Sequence, residues 1–163
     1  MACKKCSKYP VRRNMCNKCF VEWFEKSSRK EIRESGFKKN EKVHLIDTED
    51  INYSVLRHIF EQVIKLPLTF TEDGKKIFPS SMDSEARDLL ERFFKERKAN
   101  TKSIHLLKNF EQDDIEYYAE LKRINGRKKT YSDDTSILIK ALDKNFKNIK
   151  TSLSKAQQSL KDL

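Results

Sequence analysis

Cys3, Cys6, Cys16 and Cys19 are all the cysteines of this chain, and they fall as two Cys-x-x-Cys pairs separated by nine residues. Each pair presents two thiolates from one short bend, and four soft ligands converging on a point suit tetrahedral zinc. In a reducing compartment such thiols bind metal, whereas in a secreted chain they would pair as two disulfides. Zinc is the favoured occupant, and an iron–sulfur cluster is the other centre that an all-cysteine set can serve.

The rest of the chain must carry this clip. Its 163 residues make one ordinary domain, or a small metal module joined to a compact body. Hydrophobic and charged residues each supply 37%, but ten Phe and five Tyr argue for a folded body under a densely charged surface. No apolar stretch is long enough to cross a membrane and the first residues lack a secretory signal, so a cytoplasmic location is expected. The net charge of +10 is uneven: residues 1–42 hold 13 Lys and Arg against 5 Asp and Glu, a net +8. A basic end of this kind suits the phosphate backbone of structured RNA or DNA, and a solvated basic face is the plainer reading.

Hydrophobic spacing outlines the elements. Phe20, Trp23, Phe24 and Ile32 recur at helical intervals until Gly36 supplies a stop, with Trp23 expected to pack the helix onto a neighbour. Val43 to Ile46 reads as a short strand, and Val55, Leu56, Ile59, Phe60 and Val63 give a helical stripe over 51–64. Asp73-Gly74 reads as a tight turn between extended pieces at 66–71 and 76–80. Asp83-Ser84-Glu85 reads as a helix start, with Leu89, Leu90, Phe93 and Phe94 as its core face. A strand over 103–107, a helix over 112–124 and a long amphipathic segment from Asp133-Asp134 complete the pattern. Arg127-Lys128-Lys129 reads as a solvated loop. Short strands alternating with helices predict an α/β fold in which helix predominates.

Several ordered pieces together resemble the PP-loop tRNA 2-thiouridine synthases. The cysteine pairs, Cys19-Phe20 and the following aromatic, basic helix are similar to that family's N-terminal zinc finger. Val55-Leu56-Arg57-His58-Ile59 resembles the helix behind its phosphate loop. Met82-Asp83-Ser84-Glu85-Ala86 and the acidic Tyr-Ala stretch at Asp113–Ala119 are similar to two later helices. The resemblance implies a zinc finger with its basic helix over 1–35 and a reduced, helix-rich PP-loop (Rossmann-like) α/β domain over 36–163. Catalytic members carry Ser-Gly-Gly-x-Asp-Ser after the first strand, where glycines and backbone N–H groups cradle pyrophosphate. Here Thr48, Glu49, Asp50, Ile51, Asn52 and Tyr53 occupy that place without a glycine, and the carboxylates of Asp47, Glu49 and Asp50 would repel a polyphosphate.

Within that family the chain resembles the non-catalytic subunit of the cytosolic tRNA thiouridylase, with the missing length falling largely between Pro67 and Lys76. What this implies is a pseudoenzyme without ATP that binds tRNA and a catalytic PP-loop partner in wobble-uridine 2-thiolation. Structural zinc would sit on Cys3, Cys6, Cys16 and Cys19, while Lys4, Lys5, Lys8, Arg12, Arg13 and Lys18 would contact tRNA phosphates. The alternative is a stand-alone zinc-ribbon nucleic-acid-binding or regulatory protein. An enzyme built from Asp83, Glu85 and His44, His58 or His105 has no support from residue type alone.

Overall fold

Helix α1 runs from Asn17 to Glu34, entering directly from the second cysteine pair and ending at Ser35 before left-handed Gly36. Its stripe of Phe20, Phe24 and Ile32 is buried as the spacing requires. The structure, a computed structural model, describes residues 2–64, 67–95, 103–129, 134–146 and 148–161. Strand β1 spans Lys42–Leu45. Helix α2 covers Ile51–His58 and continues as a π-helical turn over Ile59–Val63. Then come β2 (Thr69–Phe70), β3 (Lys75–Pro79), α3 (Met82–Lys95), β4 (Ile104–Leu106) and α4 (Gln112–Lys122). The amphipathic tail forms two helices, α5 (Asp134–Asn145) and α6 (Ile149–Lys161), with Asn148 left-handed between them.

The four strands form one parallel sheet in the order β2-β1-β3-β4. The mixed α/β architecture expected from the alternation of strands and helices is present. The two extended pieces around Asp73-Gly74 do not pair with each other. Phe70 and Lys75 both register with Val43, one on each side of β1. The chain crosses β1 in the four residues between them, and a Cβ on Gly74 would lie 2.5 Å from the Val43 carbonyl carbon. Only a residue without a side chain lets two backbones approach this closely.

One hydrophobic cluster joins the cysteine pairs, α1, the sheet and α4. Phe24 is its hinge, 4.1 Å from the Phe110 ring and stacked at 4.2 Å on Tyr118. Such aromatic pairs are each worth about 0.5–1.5 kcal/mol beyond their buried area. Trp23 packs as expected, 5.5 Å from both Phe20 and Phe110.

Two expectations are corrected. Phe93 and Phe94 stand 77% and 61% exposed; the residues of α3 that turn inward are Glu85 and Ala86. An i, i+3, i+4 stripe marks a helical face but does not say how far along the helix a neighbour covers it. The helix start expected at Asp83-Ser84-Glu85 is present, with Asp83 and Glu85 in the first turn of α3; the Asp83 carboxylate accepts the Gln112 N–H of α4 at 2.7 Å, while the Ser81 hydroxyl takes the Ser84 N–H. Arg127-Lys128-Lys129 is not a free loop: the Arg127 carbonyl accepts the Ile51 N–H, and Lys128 and Lys129 pair with Glu116 and Asp50 at 3.3 Å.

Candidate metal centre and the loop after the first strand

The sequence folds the metal site through a tight hairpin. Arg12 and Met15 exchange backbone hydrogen bonds around Arg13 and Asn14, both left-handed, which is the two-residue turn that brings antiparallel strands together with matching twist. The Cys3 N–H donates to the Lys8 carbonyl and the Lys4 N–H to the Asn14 carbonyl, fixing the first cysteine bend against the hairpin. The second bend opens α1.

These constraints bring all four Sγ atoms within 4.8 Å of one another, with Cys6 3.5 Å from Cys16 and 3.7 Å from Cys19. Tetrahedral zinc with bonds of about 2.3 Å holds its sulfurs about 3.8 Å apart, so the donor set fits a single ion. A four-iron cluster carries one thiolate per iron and spreads them farther. The Cys16 N–H donates to Cys3 Sγ at 3.3 Å. Backbone N–H groups, that of Lys5 foremost, hold the Cys3 thiol down to about 6, the direction that favours a thiolate ligand. Burial pushes the Cys19 thiol up to about 12.

The basic residues of the finger separate into two groups. Lys4, Lys5, Lys8 and Lys18 are exposed, and none forms an ion pair among the described residues. Arg12 and Arg13 face the other way. Their Nε atoms donate to the two carboxylate oxygens of Asp114 at 2.6 Å each, and Asp114 is fully buried on α4. Arg13 also reaches Glu111 at 3.2 Å and lies 4.9 Å over the Trp23 ring. The two arginines expected to contact tRNA phosphates are thus paired with α4 and dock the cysteine hairpin onto it, because a buried carboxylate requires a charged partner. Sequence reasoning missed Asp114, whose only local signal was an acidic pair at a helix start.

The loop after β1 is equally engaged. Asp50 ends in an extended conformation as the N-cap of α2, and its Oδ1 accepts the N–H groups of Asn52 (3.0 Å) and Tyr53 (3.1 Å) and the Thr48 hydroxyl (2.8 Å). Its other oxygen meets Lys129 at 3.3 Å. Asp47 accepts the Glu49 N–H at 2.7 Å across a left-handed Glu49. Asn52 and Gln112 exchange two side-chain hydrogen bonds, tying the loop to α4. The free amides of a helix N-terminus are an anion site; here a carboxylate of the chain itself fills it. Between this loop, α4 and the finger lies a groove of about 650 Å³. Arg12, Ile51, Asp113, Glu116 and Lys128 are among its walls.

The histidines do not gather into one site. His105 Nδ1 lies 2.7 Å from Glu85 and 3.0 Å from the Ser80 hydroxyl, beneath α3, and Phe78 stacks on its ring. His58 lies against Tyr118, and His44 is on β1 with its Nδ1 buried.

No family model matches the chain, and no curated protein matches it by sequence. By structure it is similar to the U34-tRNA thiolase NcsA from Methanococcus maripaludis, solved with its [4Fe-4S] cluster. The TM-score is 0.77 at 13% identity, over 99% of this chain and 88% of that one. The chain has the fold of a tRNA thiolase. The Rossmann-like reading of the body therefore stands, with a cysteine quartet at its head able to hold a metal ion. No helix among the described residues is long and apolar enough to cross a membrane.

Proposed function

We propose that this chain is a non-catalytic PP-loop homologue that binds tRNA and works in the cytoplasm with a catalytic PP-loop ATPase in 2-thiolation of the wobble uridine. The observation that carries this reading is the position of Asp50. In a fold shared with a U34-tRNA thiolase, the amides at the head of α2 are taken by a carboxylate and the loop has no glycine. A polyphosphate arriving there would meet Asp50 already hydrogen-bonded and paired with Lys129.

In this reading Cys3, Cys6, Cys16 and Cys19 hold zinc, which supplies cross-linking of the finger and no chemistry on substrate. The compact sulfur spacing supports a single ion. Lys4, Lys5, Lys8 and Lys18 contact phosphates without reading sequence. Arg12 and Arg13 keep the finger at a fixed angle to the body.

The test is capture on the immobilised full chain, with mass spectrometry of bound protein and sequencing of bound RNA. A PP-loop ATPase and tRNA are the expected prey; capture of neither sinks the reading. Calorimetric titration with ATP should give no binding heat, and stoichiometric binding lost on Asp50→Ala would overturn the inert loop. Elemental analysis should give one zinc per chain, and iron with acid-labile sulfide would replace zinc by a cluster. The stand-alone zinc-ribbon alternative draws on the same exposed lysines, and tight binding of an unrelated duplex without any protein partner would favour it.

A further inference from the structure

Tyr9 is the most exposed large hydrophobic side chain among the described residues, at 83%. The other aromatics near it behave differently: Phe20 and Phe24 are fully buried and Trp23 is packed between Phe20 and Phe110. The core had room for three rings of this segment and left the fourth in water. Val11, two residues on, is also 61% exposed.

The ring does not hang on a loose tail. The Lys8 carbonyl is held by the Cys3 N–H, and the Val11 N–H is held by the Met15 carbonyl. Pro10 restricts the backbone between them. The hairpin beyond is locked to α4 through Asp114. Tyr9 is thus presented from a backbone fixed on both sides and next to the metal bends. Lys8 precedes it in the chain, and Lys4 and Lys5 lie on the cysteine bend that is hydrogen-bonded to Lys8. All three are exposed and unpaired among the described residues.

An exposed ring among free ammonium groups combines the two elements by which proteins hold unpaired nucleotides, a π-face for a base and cations for the flanking phosphates. A duplex offers the phosphates but keeps its bases stacked. Resting on the tRNA-binding reading above, we infer that Tyr9 stacks on an unpaired base of the RNA while Lys4, Lys5 and Lys8 hold the adjoining phosphates. The finger tip would then select single-stranded segments over helical ones.

The experiment is fluorescence anisotropy of the zinc-loaded full chain with labelled tRNA and with a fully paired RNA duplex, across a salt series. Tyr9→Ala should weaken tRNA binding about tenfold, leave duplex binding unchanged and keep the salt slope, because base stacking carries no counterion release. Tyr9→Phe should bind as the wild type does. Lys8→Ala should weaken both ligands and lower the slope by about 0.7–0.9. An unchanged melting curve for Tyr9→Ala would confirm that folding is intact. Tyr9→Ala binding tRNA as tightly as wild type, with Lys8→Ala weakened, overturns the stacking alone. A wild-type chain that binds no RNA overturns it together with the tRNA part of the proposed function.

Discussion

Asp114 shows how much one buried carboxylate can organise. It has no exposure and two arginines, so removing its charge strands two guanidinium groups that were folded inward to meet it. Breaking a buried pair costs about 3–5 kcal/mol, and Asp114→Asn should fall near 3 because both arginines keep some contact with water. A denaturation midpoint unmoved by the substitution would contradict the docking role. Glu31, on α1, is another buried acid, accepting the N–H groups of Leu107 (3.2 Å) and Lys108 (3.1 Å) where Leu107 is left-handed. Burial raises its carboxyl from 4.5 to about 7, against the opposing charge of Lys108 and those two N–H groups. The folded state therefore holds this proton more tightly than the unfolded chain. The contribution is full below pH 4.5 and is lost as pH rises through about 7. Glu31→Gln should remove that slope from the denaturation midpoint, and parallel profiles for the two proteins would place it elsewhere. The cysteines were legible because their ligand geometry is written in local spacing. Arg12 and Asp114, 102 residues apart, were not, since nothing near either residue names the other.

Among the elements, those with strong local signals were legible to within a residue or two: α1, β1, the start of α2, α3 and α4. The crossing at Gly74 was not. A short Asp-Gly stretch between two extended pieces reads as a tight turn, which is present, and only the register with Val43 shows the chain passing over β1 to its other side. Gly74→Ala puts a methyl 2.5 Å from the Val43 backbone, which has no flexible end to yield. Overpacking of this kind costs about 1–3 kcal/mol, and the melting temperature should fall accordingly. An equal melting temperature would mean that the crossing can lift away without loss. The exposed Phe93 and Phe94 teach a complementary point: periodicity finds a face, whereas burial depends on what another element brings to it.

At the scale of the whole molecule, the finger and the body share one hydrophobic cluster, so metal and fold are coupled beyond the N-terminus. Chelation, or Cys16→Ser, should lower the melting temperature of the entire chain in a single transition, because the loosened hairpin withdraws Arg12 and Arg13 from Asp114. Two separate transitions, with the second at the metal-loaded temperature, would show the finger to be independent. The same ion pair also sets an order of events on the ribosome. Arg12 emerges 102 residues before Asp114, and at about 5–20 residues per second that interval lasts roughly 5–20 s. During it the four thiolates are already synthesised and open to a metal ion, while Arg12 and Arg13 have no Asp114 to dock against.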